Sequence, residues 1–258
     1  MHYLRIRSLF ALAIVLLLAA CDIVGPPSPT PTPTPAPPPT PTPAPTPTPT
    51  PAQLSAQIGR AMLGVQSFHF AINASGKPIP IDEKSIFSII SVEGDLQRPA
   101  DVLATIKITG GGSIAEVHMV ALAGKQYVTN PITRQWQCAP VGSLFNPAVL
   151  FDPANGIEHM LQSEFKDVTL VGTEDADGRP NLHLRGTLAG PPLMTISANS
   201  IGHGTVQGDL WADAETLRIT KIVLVDPATD AARPTTLTMT FSGYDKAVDV
   251  RQPPGAQC

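Results

Sequence analysis

The sequence predicts an α+β fold in which one large antiparallel β-sheet is covered on one face. Three observations predict it. Residues 52–68 place Leu54, Ile58 and Met62 at a spacing of three to four, which gives one apolar helix face. The apolar period then changes to two in many later segments. A broken apolar stretch at 143–163 divides these segments into two groups, so the element order is helix, strands, helical pair, strands.

Alternation of apolar and polar residues identifies the strands. The clearest case lies near the C-terminus, where Leu237, Met239 and Phe241 alternate with threonines and a serine, so one strand face is apolar and the other hydroxylic. Turn signals, such as the glycine run 110–112, separate the strands. The ten predicted strands are 68–74, 88–96, 102–109, 114–122, 125–129, 165–173, 181–188, 205–213, 217–226 and 235–243.

The stretch between the two groups of strands predicts a pair of short helices. Apolar residues around Leu150 indicate the first, and the second begins near Asn155 and includes Met160 and Leu161. Prolines and a glycine interrupt the stretch, so neither helix is expected to be long.

The charge composition argues against a nucleic acid partner. The 258 residues include 17 Lys and Arg against 21 Asp and Glu, with a formal net charge of -4 and no sustained basic stretch. Binding to a phosphate backbone needs clustered Lys and Arg side chains, which this sequence lacks.

The N-terminus has the pattern of an exported lipoprotein. Arg5 and Arg7 precede an apolar run of about a dozen residues, which is shorter than the ~20 needed to span a bilayer. This length favours a secretory signal over the alternative, an N-terminal transmembrane anchor. Leu18-Ala19-Ala20-Cys21 resembles the bacterial lipobox, in which the cysteine receives a diacylglycerol. We therefore expect a signal peptide at 1–20 and a lipid anchor on Cys21, with acyl chains that give stable membrane attachment.

Residues 21–51 predict a lipidated N-terminus followed by an extended linker. Fifteen of the 29 prolines lie between Pro26 and Pro51, almost all alternating with threonine. Such a segment adopts polyproline II and, at ~3.1 Å per residue, reaches on the order of 80 Å. A spacer is the simplest interpretation, while recognition by an SH3-like partner or glycosylation of the threonines are alternatives. The globular domain is then expected at 52–258.

The sequence contains little that predicts catalysis or metal binding. Its six histidines show no zinc-binding spacing, and neither a G-x-S-x-G elbow nor a P-loop is present. Ser197, Ser200 and His203 lie close together, but no recognised motif joins them, so an extracytoplasmic hydrolase is only the third hypothesis. We expect no metal, no cofactor and no enzymatic activity.

Cys138 and Cys258 are the two remaining cysteines. In an oxidising exported compartment an even pair usually forms a disulfide, although two free thiols are the alternative. The disulfide would close a loop of about 120 residues, which the chain-entropy estimate values at roughly 4 to 5 kcal/mol.

Several loose motifs occur in an order that resembles the LppX/LprAFG lipoprotein family, over nearly all of 52–254. Ser67-Phe68-His69-Phe70 follows the first helix, and Gly124-Lys125-Gln126-Tyr127-Val128 comes at the end of the first group of strands. Asp152-Pro153-Ala154-Asn155-Gly156-Ile157 lies between the groups, and Leu210-Trp211-Ala212-Asp213 lies in the second. The Pro/Thr linker and the Cys138/Cys258 pair are not family hallmarks.

The family resembles the LolA/LolB carriers, and this resemblance implies a fold and a function. The fold is a strongly curved antiparallel sheet, a half-barrel, with a few helices over its concave face. The space between them holds acyl chains of lipids or glycolipids. The candidate cavity-lining residues are Phe70, Val92, Tyr127, Leu150, Met160, Leu161, Trp211, Leu237, Met239 and Phe241.

The resemblance therefore implies a lipid-binding or lipid-carrying lipoprotein, anchored at the outer face of the bacterial plasma membrane. The alternative is a structural or sensory envelope lipoprotein without a ligand cavity. Neither the lipid nor a partner lipid transporter follows from the residues.

Overall fold

The computed structural model describes residues 48–81, 84–139, 146–176, 178–197, 199–256 and 258. All of them belong to one compact unit, Pro47–Cys258. The expected signal peptide, the predicted lipid site at Cys21 and most of the predicted linker lie outside the described residues. No helix within the described part is long and apolar enough to cross a membrane.

The first helix, α1, spans Pro51–Leu63 and is started by the last Thr-Pro pair of the predicted linker. Thr50 is the N-cap: its hydroxyl accepts from the backbone N–H of Gln53 at 3.2 Å, and the Gln53 side chain accepts from the Thr50 N–H at 2.9 Å. This capping box and the proline at the first helical position both favour a helix start here. The domain boundary expected at residue 52 therefore falls inside α1.

In the part of the chain that the structure describes, twelve strands form a single antiparallel sheet, and all ten predicted strands are among them. The two strands that the sequence analysis missed contain only two and three residues. The strands are β1 Ser67–Ser75, β2 Ile79–Pro80, β3 Ser88–Gln97, β4 Asp101–Gly110, β5 Ser113–Leu122, β6 Lys125–Thr129, β7 Trp136–Cys138, β8 Phe165–Ala176, β9 Arg179–Leu188, β10 Val206–Asp213, β11 Ile219–Asp226 and β12 Thr235–Ser242.

The chain builds this sheet from its centre to one edge, and then from the other edge back to the centre. The strand order is β7-β6-β5-β4-β3-β1-β12-β11-β10-β9-β8, with β2 paired to β3. The first and last long strands, β1 and β12, pair in the middle with Phe70 opposite Phe241. The sheet is strongly curved and remains open, with β7 and β8 as its edges. This confirms the predicted α+β half-barrel.

Short helical segments cover the concave face. They are a 3-10 helix at Pro147–Phe151, α2 at Ile157–His159 with a π-helical turn at Met160–Glu164, and α3 at Gly190–Ile196. We call these segments together the cover. The sequence analysis predicted the first two parts and missed α3, because its Gly-Pro-Pro start is typical of a loop. Proline is nevertheless compatible with the first helical turn, where its missing N–H has no partner to lose.

Helix α1 braces the cover from outside. The buried hydroxyl of Ser55 donates to the carbonyl of Leu161 at 2.7 Å, which joins α1 to the π-helical turn. Arg98 donates to the carbonyl of Val65 at 2.6 Å, and its guanidinium lies 3.8 Å from the ring centroid of Phe151 in the 3-10 helix. These polar and cation–π contacts set the position of the cover relative to the sheet.

The loop after α3 is fixed by one buried carboxylate. Asp226 accepts from the backbone N–H groups of Gly202 at 2.7 Å, His203 at 2.9 Å and Ala228 at 3.1 Å. Its side chain is completely buried. Burial alone would raise the pKa of Asp226, but the three backbone donors outweigh it and hold the pKa below its usual value.

The C-terminal tail is bonded to the β7 edge of the sheet. Cys138 in β7 and Cys258 form a disulfide with a Cα–Cα distance of 5.6 Å. Ala256 packs against Val120 and Tyr127 in a small buried cluster separate from the main core. The tail therefore covers part of β5 and β6 from the side opposite the cavity described below.

Replacing both Cys138 and Cys258 by serine should lower the free energy of unfolding of the Pro47–Cys258 unit by about 4 to 5 kcal/mol. The physical reason is the loss of a cross-link between residues 120 positions apart, which frees the unfolded chain. Urea denaturation measures the change. An unchanged unfolding midpoint would contradict it.

Replacing Asp226 by asparagine should destabilise the unit by about 2 to 4 kcal/mol at neutral pH, because three backbone N–H groups lose a buried, charged acceptor. Since the pKa of Asp226 is depressed in the folded state, its contribution is complete above the unfolded value of about 3.9 and is lost as the pH falls below it. Urea denaturation between about pH 2.5 and 6 should thus show that the free energy of unfolding falls less steeply with decreasing pH in the variant than in the parent. If the free energy of unfolding depends on pH equally in the variant and the parent, Asp226 does not have this role.

Candidate functional site

A cavity of ≈ 770 Å³ lies between the concave face of the sheet and the cover. Its sheet wall comes from inward-facing residues of both halves of the sheet, including Phe70, Ile106 and Ile222. Its opposite wall comes from the cover, including Leu161 and Leu193. The volume is within the ~300–1,000 Å³ that is typical of ligand pockets.

The middle of the sheet wall is apolar but not filled by protein. Leu184 and Ile58, elsewhere in the same core cluster, are fully buried at 0% exposure. The side chains in the middle of the wall are only half-buried, although they point inward. These half-buried residues are Phe70, Ile72, Val92, Ile106, Ile222, Met239 and Phe241. The protein's own side chains therefore leave space for an apolar guest.

The described lining residues present no unpaired charge to the cavity. Asp209 is the one charged residue among the described lining residues, and its carboxylate is bonded to His183 at 2.6 Å and to Arg185 at 2.8 Å. The hydroxyl of Thr129 accepts from a backbone N–H at 2.8 Å, and that of Ser197 donates to the carbonyl of Ile201 at 3.0 Å. The cavity is thus suited to hydrocarbon rather than to a charged ligand.

Eight of the ten predicted lining residues lie on the cavity wall. They are Phe70, Val92, Leu150, Met160, Leu161, Leu237, Met239 and Phe241. The sequence analysis missed neighbours that strand phase and pairing would have found. Ile72 follows Phe70 by two residues, Ile106 pairs with Val92, and Ile222 pairs with Met239.

Tyr127 does not line the cavity, which corrects the sequence prediction. It is almost completely buried, but in the small cluster with Val120 and Ala256 beneath the C-terminal tail. Its neighbour Val128 lines the cavity instead. Because successive side chains of a strand point to opposite faces, only one of the two could do so.

Trp211 is the second correction, and it lies on the face of β10 opposite the cavity. Its ring stacks on His183 with 4.1 Å between centroids, and its indole N–H donates to Glu174 at 2.8 Å. Lys221 places its ammonium 4.5 Å from the Trp211 ring centroid. The adjacent Leu210 lines the cavity, so the strand phase assigns the tryptophan to the outer face.

Among the described residues, the solvent-exposed part of the cavity wall lies beside β2 and the β7 edge. Pro80, Ile81 and Gln137 line it and are exposed to solvent. Phe87 and Pro131 line the same region and are half-buried. We call this region the mouth.

No described hydrogen bond joins Ser197 or Ser200, the serines that raised the hydrolase hypothesis, to His203. Ser197 bonds to the Ile201 carbonyl, and the His203 ring is 3.4 Å from Asp226. The described residues also contain no group of three or more His, Cys, Asp or Glu side chains that could hold a metal ion.

Comparison with known proteins agrees with this architecture. Lipoprotein LprA of Mycobacterium tuberculosis (strain ATCC 25618 / H37Rv) is 22% identical over 210 residues, which cover 78% of this chain and 81% of LprA. The crystal structure of LprF from Mycobacterium bovis matches 80% of this chain and 97% of LprF, with a TM-score of 0.61 and 15% identity. For the M. tuberculosis lipoprotein LppX the TM-score is 0.54 at 16% identity, over 78% of this chain and 99% of LppX.

These structural matches have low sequence identity and therefore show a shared fold. The profile of the LppX_LprAFG lipoprotein family matches residues 50–250, which is most of the chain and nearly all of the described domain. The chain belongs to the LppX_LprAFG lipoprotein family.

Proposed function

We propose that this chain is a non-enzymatic, membrane-anchored extracytoplasmic lipoprotein that binds or carries the acyl chains of a lipid or glycolipid. One observation carries the proposal: an apolar cavity of ≈ 770 Å³ in which the middle of the sheet wall is only half-buried by the protein itself. Hydrocarbon is the ligand chemistry that suits such a wall, because it needs neither hydrogen bonds nor a counter-charge.

The hydrophobic effect gives an order of magnitude for binding. Each buried methylene contributes about 0.8 kcal/mol, so two acyl chains that each bury about ten methylenes contribute about 16 kcal/mol. The loss of translational and rotational freedom costs about 4 to 15 kcal/mol. Two acyl chains therefore give a net favourable binding free energy, whereas the methylenes of a single short acyl chain contribute too little to offset this cost.

A structural or sensory lipoprotein without a ligand cavity is the competing function. The cavity favours lipid binding over this alternative, because a purely structural domain gains nothing by leaving apolar wall uncovered. The linker limits how the lipid could be delivered. With a reach on the order of 80 Å, an anchored domain exchanges lipid with its own leaflet or with a partner inside that radius.

The membrane anchor belongs to the same proposal. The lipobox-like sequence before Cys21 and the family's lipoprotein relatives support a lipid on this cysteine. They likewise support a location at the outer face of the plasma membrane. The anchor would keep a lipid-binding domain close to the lipids it binds.

The double substitution Val92→Trp and Ile106→Trp should lower affinity for a pyrene-labelled phospholipid. The two residues pair across β3 and β4 on the cavity wall, so the indoles occupy ligand space. Displacing about two methylenes costs about 1.6 kcal/mol, or roughly tenfold in Kd. A fluorescence titration measures the change.

The matched control is Glu93→Trp with Lys107→Trp, which places the same side chains on the opposite face of β3 and β4. Both native side chains are more than half exposed, at 67% and 51%. This variant should bind lipid as the parent does. Equal Kd values for the cavity variant and the parent would contradict binding in the cavity.

Replacing Cys21 by serine should abolish incorporation of labelled palmitate in an exporting bacterial host, because the serine hydroxyl does not replace the thiol in lipid attachment. Replacing Cys138 by serine should leave the incorporation unchanged. The palmitate label is measured in the chain after immunoprecipitation. Persistent labelling of the Cys21 variant would exclude this anchor.

A further inference from the structure

Four exposed isoleucines lie at the same end of the sheet as the mouth. Their exposed fractions are 47% for Ile81, 54% for Ile86, 70% for Ile114 and 84% for Ile132. Single exposed apolar residues are ordinary on protein surfaces, but several around one opening are not. We call these four residues the isoleucine rim.

Backbone contacts bring the first three rim residues together. The N–H of Ile81 donates to the carbonyl of Phe87 at 3.0 Å, which joins the segments before and after residues 82–83. The carbonyl oxygen of Ile86 lies 2.6 Å from the position that a Cβ on Gly110 would take. This glycine ends β4, and the following hairpin returns the chain to Ile114. The three isoleucines thus lie near one hairpin, with Ile114 on the outer face of β5, because Val117 and Met119 carry the inward phase.

The fourth rim residue is held in the turn between β6 and β7. Because β5 and β6 are antiparallel, β6 runs towards the end of the sheet at which β5 starts, and its last pair joins Val128 to Met119 in the middle of β5. The Asn130 side chain accepts from the N–H groups of Ile132 at 2.9 Å and Thr133 at 3.0 Å. This turn presents Ile132 to solvent in a defined position.

The rim continues directly into the cavity wall. Ile81 is itself a lining residue, Ile86 precedes the lining residue Phe87, and Ile132 follows the lining residue Pro131. An apolar path therefore leads from exposed isoleucines at the mouth to the half-buried middle of the wall.

We propose that the isoleucine rim docks onto the surface of a phospholipid bilayer, so that acyl chains pass between the leaflet and the cavity without crossing water. The inference rests on the proposed lipid-binding function. A bilayer fits better than a protein partner for two reasons. The rim residues themselves are aliphatic, whereas the anchors of protein interfaces are enriched in Tyr, Trp and Arg. The N-terminal sequence also leads back to the lipobox-like Cys21, which would keep a leaflet within reach.

The test compares lipid uptake by the full chain from two sources. Phosphatidylcholine vesicles that contain pyrene-labelled phosphatidylcholine require docking, whereas detergent micelles with the same lipid deliver it without a bilayer. Loss of pyrene excimer emission gives the uptake rate, and the final signal gives the amount bound. The rim variant is Ile114→Asp with Ile132→Asp, since neither residue lines the cavity.

The matched control is Leu170→Asp with Val171→Asp on edge strand β8. These side chains are also exposed, at 47% and 49%, and they do not line the cavity either. They differ from the rim in position, because β8 is the edge of the sheet opposite β7. We expect the rim variant to take up lipid from vesicles on the order of tenfold more slowly, since losing one buried isoleucine exceeds the free energy of a tenfold change. The amount taken up from micelles should be unchanged, and the control should match the parent in both assays.

Equal vesicle rates for the rim variant and the parent would overturn the docking surface while leaving lipid binding intact. Equal slowing of the rim variant and the β8 control would also overturn it, since the effect would then follow from added charge. If the parent chain takes up no lipid from either source, the proposed function itself fails.

Discussion

The structure depends on one constraint: the curved sheet has an apolar inner face that its own helices cover only in part. Core residues such as Leu184 and Ile58 are fully buried, whereas Phe70 and Met239 in the middle of the wall are only half-buried. A close-packed interior would normally remove such a space, because uncovered apolar area and lost dispersion contacts both cost free energy. Retaining it is favourable when an apolar ligand completes the core.

The cavity persists because directional contacts, rather than packing alone, hold the cover away from the sheet. Ser55 bonds the π-helical turn to α1, and Arg98 stacks on Phe151 of the 3-10 helix. Asp226 fixes the loop that follows α3. Helix α1 contributes no lining residue among those described, so its role is to brace the cover. The Cys138–Cys258 disulfide connects the tail to the edge strand nearest the mouth.

Alternation in the sequence was sufficient to predict every long strand and most of the cavity wall, because inward-facing residues of a curved sheet must be apolar at every second position. It failed where side-chain size was weighted above strand phase. Trp211 and Tyr127 are large aromatic residues, yet their neighbours Leu210 and Val128 carry the inward phase. Helix α3 was hidden by its Gly-Pro-Pro start. The unfilled middle of the wall depends on tertiary distances, which no local pattern encodes.

Native mass spectrometry of the full chain, purified from an exporting bacterial host, can detect a lipid in the cavity. We expect a non-covalently bound lipid mass that disappears after extraction and returns on incubation with phospholipid, while any covalent anchor mass remains throughout. The Val92→Trp, Ile106→Trp variant should regain less of this mass than the parent. If the parent chain carries no bound lipid, and takes up none when phospholipid is supplied, the cavity is not a lipid-binding site.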